Sequence, residues 1–141
     1  MGLTPVQVSD LLKNYNFSPL ILQREKGKEE GFLDDIIAYI ESGIPMIGFL
    51  YPIKHAVSII GHGLINYSIL DNPEMLDMLK DTEINVLSHG RLIPDLYVMD
   101  DNYFPYRKVK ELPSKETDTD YGLLELEYAV VPLYRRMQLT Y

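Results

Sequence analysis

Apolar positions follow two rhythms along this chain. Up to residue 41 most recur at helical spacing, and from residue 44 they gather in short dense runs. Thr4-Pro5 opens the first helix, with a hydroxyl N-cap and then a proline where its missing N–H costs nothing. Val8, Leu11, Leu12 and Tyr15 continue it, and Asn14 and Asn16 are its stop residues. Phe17 to Gln23 carries Pro19-Leu20-Ile21-Leu22, a short extended segment, and Arg24 to Gly31 is a mixed-charge turn. Phe32, Leu33, Ile36, Ile37 and Ile40 then form one stripe with Asp34, Asp35 and Glu41 outside it. This predicts a second helix, closed by Ser42-Gly43.

The densest stretch is Gly43 to Gly63, GIPMIGFLYPIKHAVSIIGHG. Its two apolar runs, Ile44 to Tyr51 and Ala56 to Ile60, are β-rich and bounded by Gly or Pro. They read as two buried strands joined tightly through Pro52-Ile53-Lys54, with His55 at the mouth of the second. Further on, Leu64 to Leu70 is a strand continuation, Asp71-Asn72-Pro73 a turn, and Glu74 to Leu79 a short amphipathic helix. Asp81 to Arg91 is a polar loop with a brief strand at Ile84 to Leu87. Leu96 to Met99 is an apolar strand running into Asp100-Asp101-Asn102, and Tyr103-Phe104-Pro105-Tyr106 turns the chain. Lys108 to Thr119 reads as a polar surface loop, and Tyr121 to Leu133 as a last strand. In that strand Glu125 and Glu127 point one way, and Leu124, Leu126 and Tyr128 the other. Helices first and then strands on short turns predict an α+β fold with a mostly antiparallel sheet. One domain over 1–141 is expected, helical over about 4–42 and sheet over about 44–133.

Composition narrows the classes. The chain has 141 residues and 46% hydrophobic content, enough for a core without disulfide or metal staples. A net charge of −8 argues against nucleic acid and anionic membrane partners. No cysteine is present, so the chain has no disulfide, thiolate metal site or thiol nucleophile of its own. Gln7, Ser9 and Asp10 interrupt the first apolar residues, which is no signal peptide, and no run approaches a membrane span. The default location is then the cytoplasm.

Candidate chemistry centres on His55. The histidines at 55, 62 and 89 lack zinc-site spacing, so neither metal nor cofactor is expected, and His62 and His89 read as surface or capping residues. His55 differs because a pairing strand brings Asp100, Asp101 or Asn102 beside it. An acceptor on one imidazole nitrogen fixes the tautomer and frees the other as a base. The plain alternative for Asp100-Asp101-Asn102 is a turn in which side chains bond their own backbone. Tyr51, Tyr97, Tyr103, Phe104 and Tyr106 are either cleft-lining or core aromatics.

The pieces SGIPMIGFL (42–50), HAVSIIGHG (55–63), LYVMDDNYFPY (96–106) and, more loosely, AVVPLYRR (129–136) together resemble the C-terminal half of papain-like cysteine peptidases. They are most similar to the bacterial double-glycine-peptidase-like branch. The resemblance implies that His55 matches the catalytic histidine and Asp100 the orienting acid, with Asp101 and then Asn102 as fallbacks. It implies a peptide or protein substrate. The family's nucleophile is a cysteine opening an N-terminal helix, preceded by an oxyanion-hole glutamine. Neither has a counterpart here, since Gln7 and Gln23 precede no candidate nucleophile. The expectation is a papain-like core lacking that helix, a fragment whose parent hydrolyses or transfers acyl groups by Cys-His-Asp chemistry. The alternatives are a catalytically inactive member of the fold that binds peptides or proteins, and an unrelated α+β interaction domain with His55 incidental. A missing helix would leave an apolar patch at Met46, Gly48, Val57 and Ile59 or their opposite-parity neighbours. That patch would be covered by self-association or by the first helix, Pro5 to Tyr15.

Overall fold

The computed structural model describes residues 2–63, 95–103, 105–110 and 119–135. The elements predicted within 64–94, including the helix at Glu74 to Leu79, lie outside these residues, as do His89 and Phe104. Helix α1 spans Pro5–Asn14 and α2 Glu29–Glu41. The strands are β1 Phe17–Gln23, β2 Met46–Leu50, β3 His55–His62, β4 Asp95–Met99, β5 Arg107–Lys110 and β6 Leu126–Tyr134. They form one sheet in the order β1-β6-β2-β3-β4-β5, with every neighbouring pair antiparallel. The architecture is α+β. Among the described residues, no helix is long and apolar enough to cross a membrane.

Local chemistry accounts for the helix ends. The Thr4 hydroxyl accepts from the Gln7 backbone N–H at 3.2 Å, and the Thr4 N–H donates to Gln7 Oε1 at 2.9 Å. This reciprocal box satisfies two donors that the helix leaves open. Helix α1 stops where Asn16 turns left-handed at φ 67°. Helix α2 begins at Glu29, three residues before the expected Phe32. Glutamates are good helix formers and complement the positive end of the helix dipole, so the second half of the charged run joins the first turn. Gly43, at φ 80°, ends α2 as predicted, and its N–H donates to the Ile40 carbonyl at 2.9 Å.

Three differences from the sequence reading concern the sheet. Strand β1 lies between the helices in sequence, yet it pairs with β6 at the sheet's edge, so the chain does not divide into a helical part and a sheet part. Arg107–Lys110 is strand β5 rather than loop. Val109 is buried and stands across from Leu96, and the basic residues around it leave a charged edge. The last strand starts five residues late, after a 3-10 turn at Leu123–Glu125. Leu126 pairs with Leu50 and Tyr128 with Phe49, so Glu127 is an extra residue. This bulge puts Leu126 and Tyr128 on opposite faces, where simple alternation put them on one. Leu124 is exposed.

Arg24 fixes that irregular start. Its Nε and Nη2 donate to the carbonyls of Leu126 and Leu123, both at 2.7 Å, while its guanidinium lies 5.1 Å from the Phe32 ring centroid. Its backbone N–H bonds the Glu127 carbonyl at 2.8 Å.

Each helix covers one sheet face. Ile36, Ile37 and Phe32 of α2 pack with Met46, Leu50, Val57, Ile59, Leu126 and Val131. Val8 and Leu12 of α1 pack with Phe49 and Val130 on the other face. The expected open patch is therefore absent at its first four positions. Met46, Gly48, Val57 and Ile59 are buried on the α2 face. Of their opposite-parity neighbours, Phe49 is buried in the cluster with α1, while Ala56 and Ser58 are exposed.

Ile36 is 0% exposed. Ile36→Ala should cost about 2–5 kcal/mol in urea unfolding, the usual range for a core cavity. Val6→Ala, at a position 61% exposed, should change stability by less than about 0.5 kcal/mol.

Candidate functional site

The β2–β3 hairpin and β4 bring the central pair together. The connection after Leu50 closes with Lys54 at φ 54°, and His55 opens β3 opposite Leu50. On the other side, Ser58 stands across from Met99. Continuing that register by one residue places Asp100 opposite Val57, whose face His55 shares two residues away. Diagonal neighbours of this kind lie within reach of long side chains. The His55 ring Nε2 meets Asp100 Oδ1 at 2.8 Å.

Asp100 is the most heavily bonded side chain in this region. Its side chain is 0% exposed, against 24% for His55. Oδ1 also accepts from the Asn102 backbone N–H at 2.9 Å, and Oδ2 accepts from the Tyr121 hydroxyl at 2.7 Å. Asp100 bonds the backbone two residues on, as a turn residue does, and the imidazole as well. Burial by itself pushes the carboxyl upward, but the Tyr121 hydroxyl, the Asn102 amide and His55 outweigh it and hold it below its ordinary 3.8. Tyr121 moves the other way. Burial, and then the Asp100 carboxylate, push its phenol far above 10, so it stays a donor.

The fallback residues take other places. Asp101 is exposed and makes no hydrogen bond to His55 among the described residues. Its carboxylate completes, with His55 and Asp100, a set of ligand-type atoms all within 4.8 Å of one another. Both Asp100 oxygens already accept from the three donors, so the set reads as a hydrogen-bonded pair beside a surface acid. Asn102 contributes its backbone rather than its amide side chain.

His62 caps locally, with Nδ1 2.7 Å from the Gly63 carbonyl and Nε2 3.3 Å from Glu41 Oε1. Among the described residues, the aromatics do not gather in one cleft. Tyr51 lines a groove of about 550 Å³ with Pro5, Val6, Ile21, Gln23, Glu127 and Tyr128. Tyr103 stands against Tyr121, and Tyr106 is exposed.

Tyr121, expected as the first residue of a strand, is instead a buried donor to Asp100. The one available signal was a tyrosine between a polar loop and an apolar run, since a buried tyrosine hydroxyl usually finds a partner. No family model, curated protein or solved structure matches this chain.

What the arrangement offers is an imidazole with one nitrogen committed. Asp100, as an ionised acceptor, accepts the hydrogen bond from Nε2–H. Nδ1 makes no hydrogen bond among the described residues, and in the neutral ring of that tautomer the lone pair falls on it.

The lowered Asp100 carboxyl makes a pH prediction. An acid whose folded value lies below its unfolded one adds stability above the unfolded value, here 3.8, and that stability is lost as pH falls through the folded value. Resistance of the wild type to urea unfolding should fall as pH drops below about 4. Asp100→Asn should lack this component and cost about 1–3 kcal/mol at neutral pH.

Proposed function

We propose that this chain carries the base and its orienting acid, His55 and Asp100, of a papain-like cysteine-peptidase-type domain acting on peptides or proteins. The observation that supports it most is the 2.8 Å contact between His55 Nε2 and a carboxylate with no exposed surface. In such chemistry Nδ1 takes a proton from the attacking thiol and returns it to the leaving amine. Asp100 keeps the tautomer and steadies the imidazolium formed in between. The thiol is not among these 141 residues, so the covalent step needs one from elsewhere.

The absence of cysteine favours a second reading, in which the same fold binds a peptide or protein partner without turnover. Here the dyad is a structural pair and the imidazole a hydrogen-bonding contact.

One experiment separates them. The gene product, tagged at its own locus and purified, is assayed on a peptide library with and without a thiol-alkylating reagent. The peptidase reading expects alkylation-sensitive hydrolysis that falls about 10²–10⁴-fold in His55→Ala, the range for loss of a general base. Peptide binding without hydrolysis by that product would overturn it in favour of the binding reading. The 141-residue chain alone should show no alkylation-sensitive hydrolysis in either case.

A further inference from the structure

We propose that Tyr121 is a positioning residue for the dyad, holding the Asp100 carboxylate so that Oδ1 alone is presented to His55. The inference rests on reading His55 as a base.

A carboxylate has two equivalent oxygens and turns easily about its last bond. A histidine bonded to an unfixed carboxylate has no fixed direction. Here each oxygen has its own donors. Tyr121 takes Oδ2 at 2.7 Å, while the Asn102 N–H and His55 Nε2 share Oδ1 at 2.9 and 2.8 Å. Turning the carboxylate breaks bonds at both oxygens at once.

Tyr121 is itself held. It is buried, and its ring packs at 74° against Tyr103, with centroids 6.5 Å apart. The Tyr103 hydroxyl donates to Asp120 Oδ2 at 2.8 Å, which anchors that second ring. The Tyr121 ring also lies 6.3 Å from the His55 ring. The groups around the carboxylate are therefore His55 from β3, the Asn102 amide and Asp101 from the turn, and Tyr121 and Tyr103, with Asp120 behind them. Tyr121 acts on His55 only through Asp100.

A pure packing role and a positioning role differ in what they do to the imidazole. With Tyr121→Phe the ring and its packing remain, but Oδ2 loses its donor. The carboxylate is then free to turn, and His55 loses part of its preference for the Nε2–H tautomer.

The test is nitrogen NMR of the 141-residue chain labelled at histidine, at a pH where His55 is neutral. The wild type should show mainly the Nε2–H form. In Tyr121→Phe the ratio of Nδ1–H to Nε2–H should rise about tenfold, equivalent to about 1.4 kcal/mol. An unchanged ratio in a folded Tyr121→Phe variant overturns the proposal and leaves Tyr121 as packing. If that variant does not fold, the wild type decides. A Tyr121 hydroxyl proton protected from solvent exchange is expected, and a freely exchanging one overturns the proposal. Both readouts need no substrate. Missing peptide turnover therefore counts against the activity and not the positioning, and an unchanged ring counts against the positioning and not the activity.

Discussion

A carboxylate with no exposed surface follows β4, and three donors from three separate stretches of chain meet it. Burying an ionised acid unpaired costs several kcal/mol. The three hydrogen bonds offset that cost only if all three stretches arrive together. His55 depends on the β2–β3 hairpin, Asn102 on the turn after β4, and Tyr121 on the segment leading into β6. The first pairs next to β4, while β6 lies three positions along the sheet, with β3 and β2 between. Asp100 thus ties β4, next to one edge strand, to the segment entering β6, next to the other. Breaking any one donor leaves a buried charge short of a partner, which is why such clusters are rigid when complete.

The irregular start of β6 follows from the same demand. A regular strand back to Tyr121 would carry that residue along the sheet. The 3-10 turn at Leu123–Glu125 and the extra residue Glu127 let the chain leave the strand direction before Tyr121. Those irregularities expose carbonyls that no ladder satisfies, and Arg24 takes two of them, at Leu123 and Leu126. The Glu125 carbonyl accepts instead from the Tyr51 N–H at 2.8 Å. An arginine immediately after β1 therefore serves the far side of the site, through the β1–β6 pairing.

What could be read in the sequence was whatever depends on near neighbours. The α2 stripe, the Gly43 stop, the hairpin around Pro52 and the entry of His55 into a strand are all set by local pattern. So was the proximity of His55 to the Asp100-Asp101-Asn102 turn, because adjacent strands in an antiparallel sheet bring strand ends together. Which of the three faced the histidine was not legible, since parity flips with one residue of register. The bulge at Glu127 was hidden for the same reason: the sequence LLELEY alternates cleanly, and only the partner strand shows the extra residue. Strand β5 was missed because three of its four residues are basic and only Val109 faces the core. Tyr121 depends on a contact 21 residues away, which no local pattern records.

The way the imidazole is bonded also sets where anything can react with it. Its Nε2 is turned to an acid that solvent does not reach, and the ring keeps 24% of its side-chain surface exposed. A partner approaching from outside meets the imidazole and not the carboxylate. On the proposed reading, proton transfer at Nδ1 would leave the positive charge beside an ion already held by three donors, with little reorganisation needed when the charge appears. Had Asp101 been the acceptor, an exposed carboxylate would have been free to move and to exchange its bond for water. On the proposed reading the buried acid suits the arrangement to holding a base ready, and a thiol or bound peptide would reach the imidazole through the part of the ring that stays exposed.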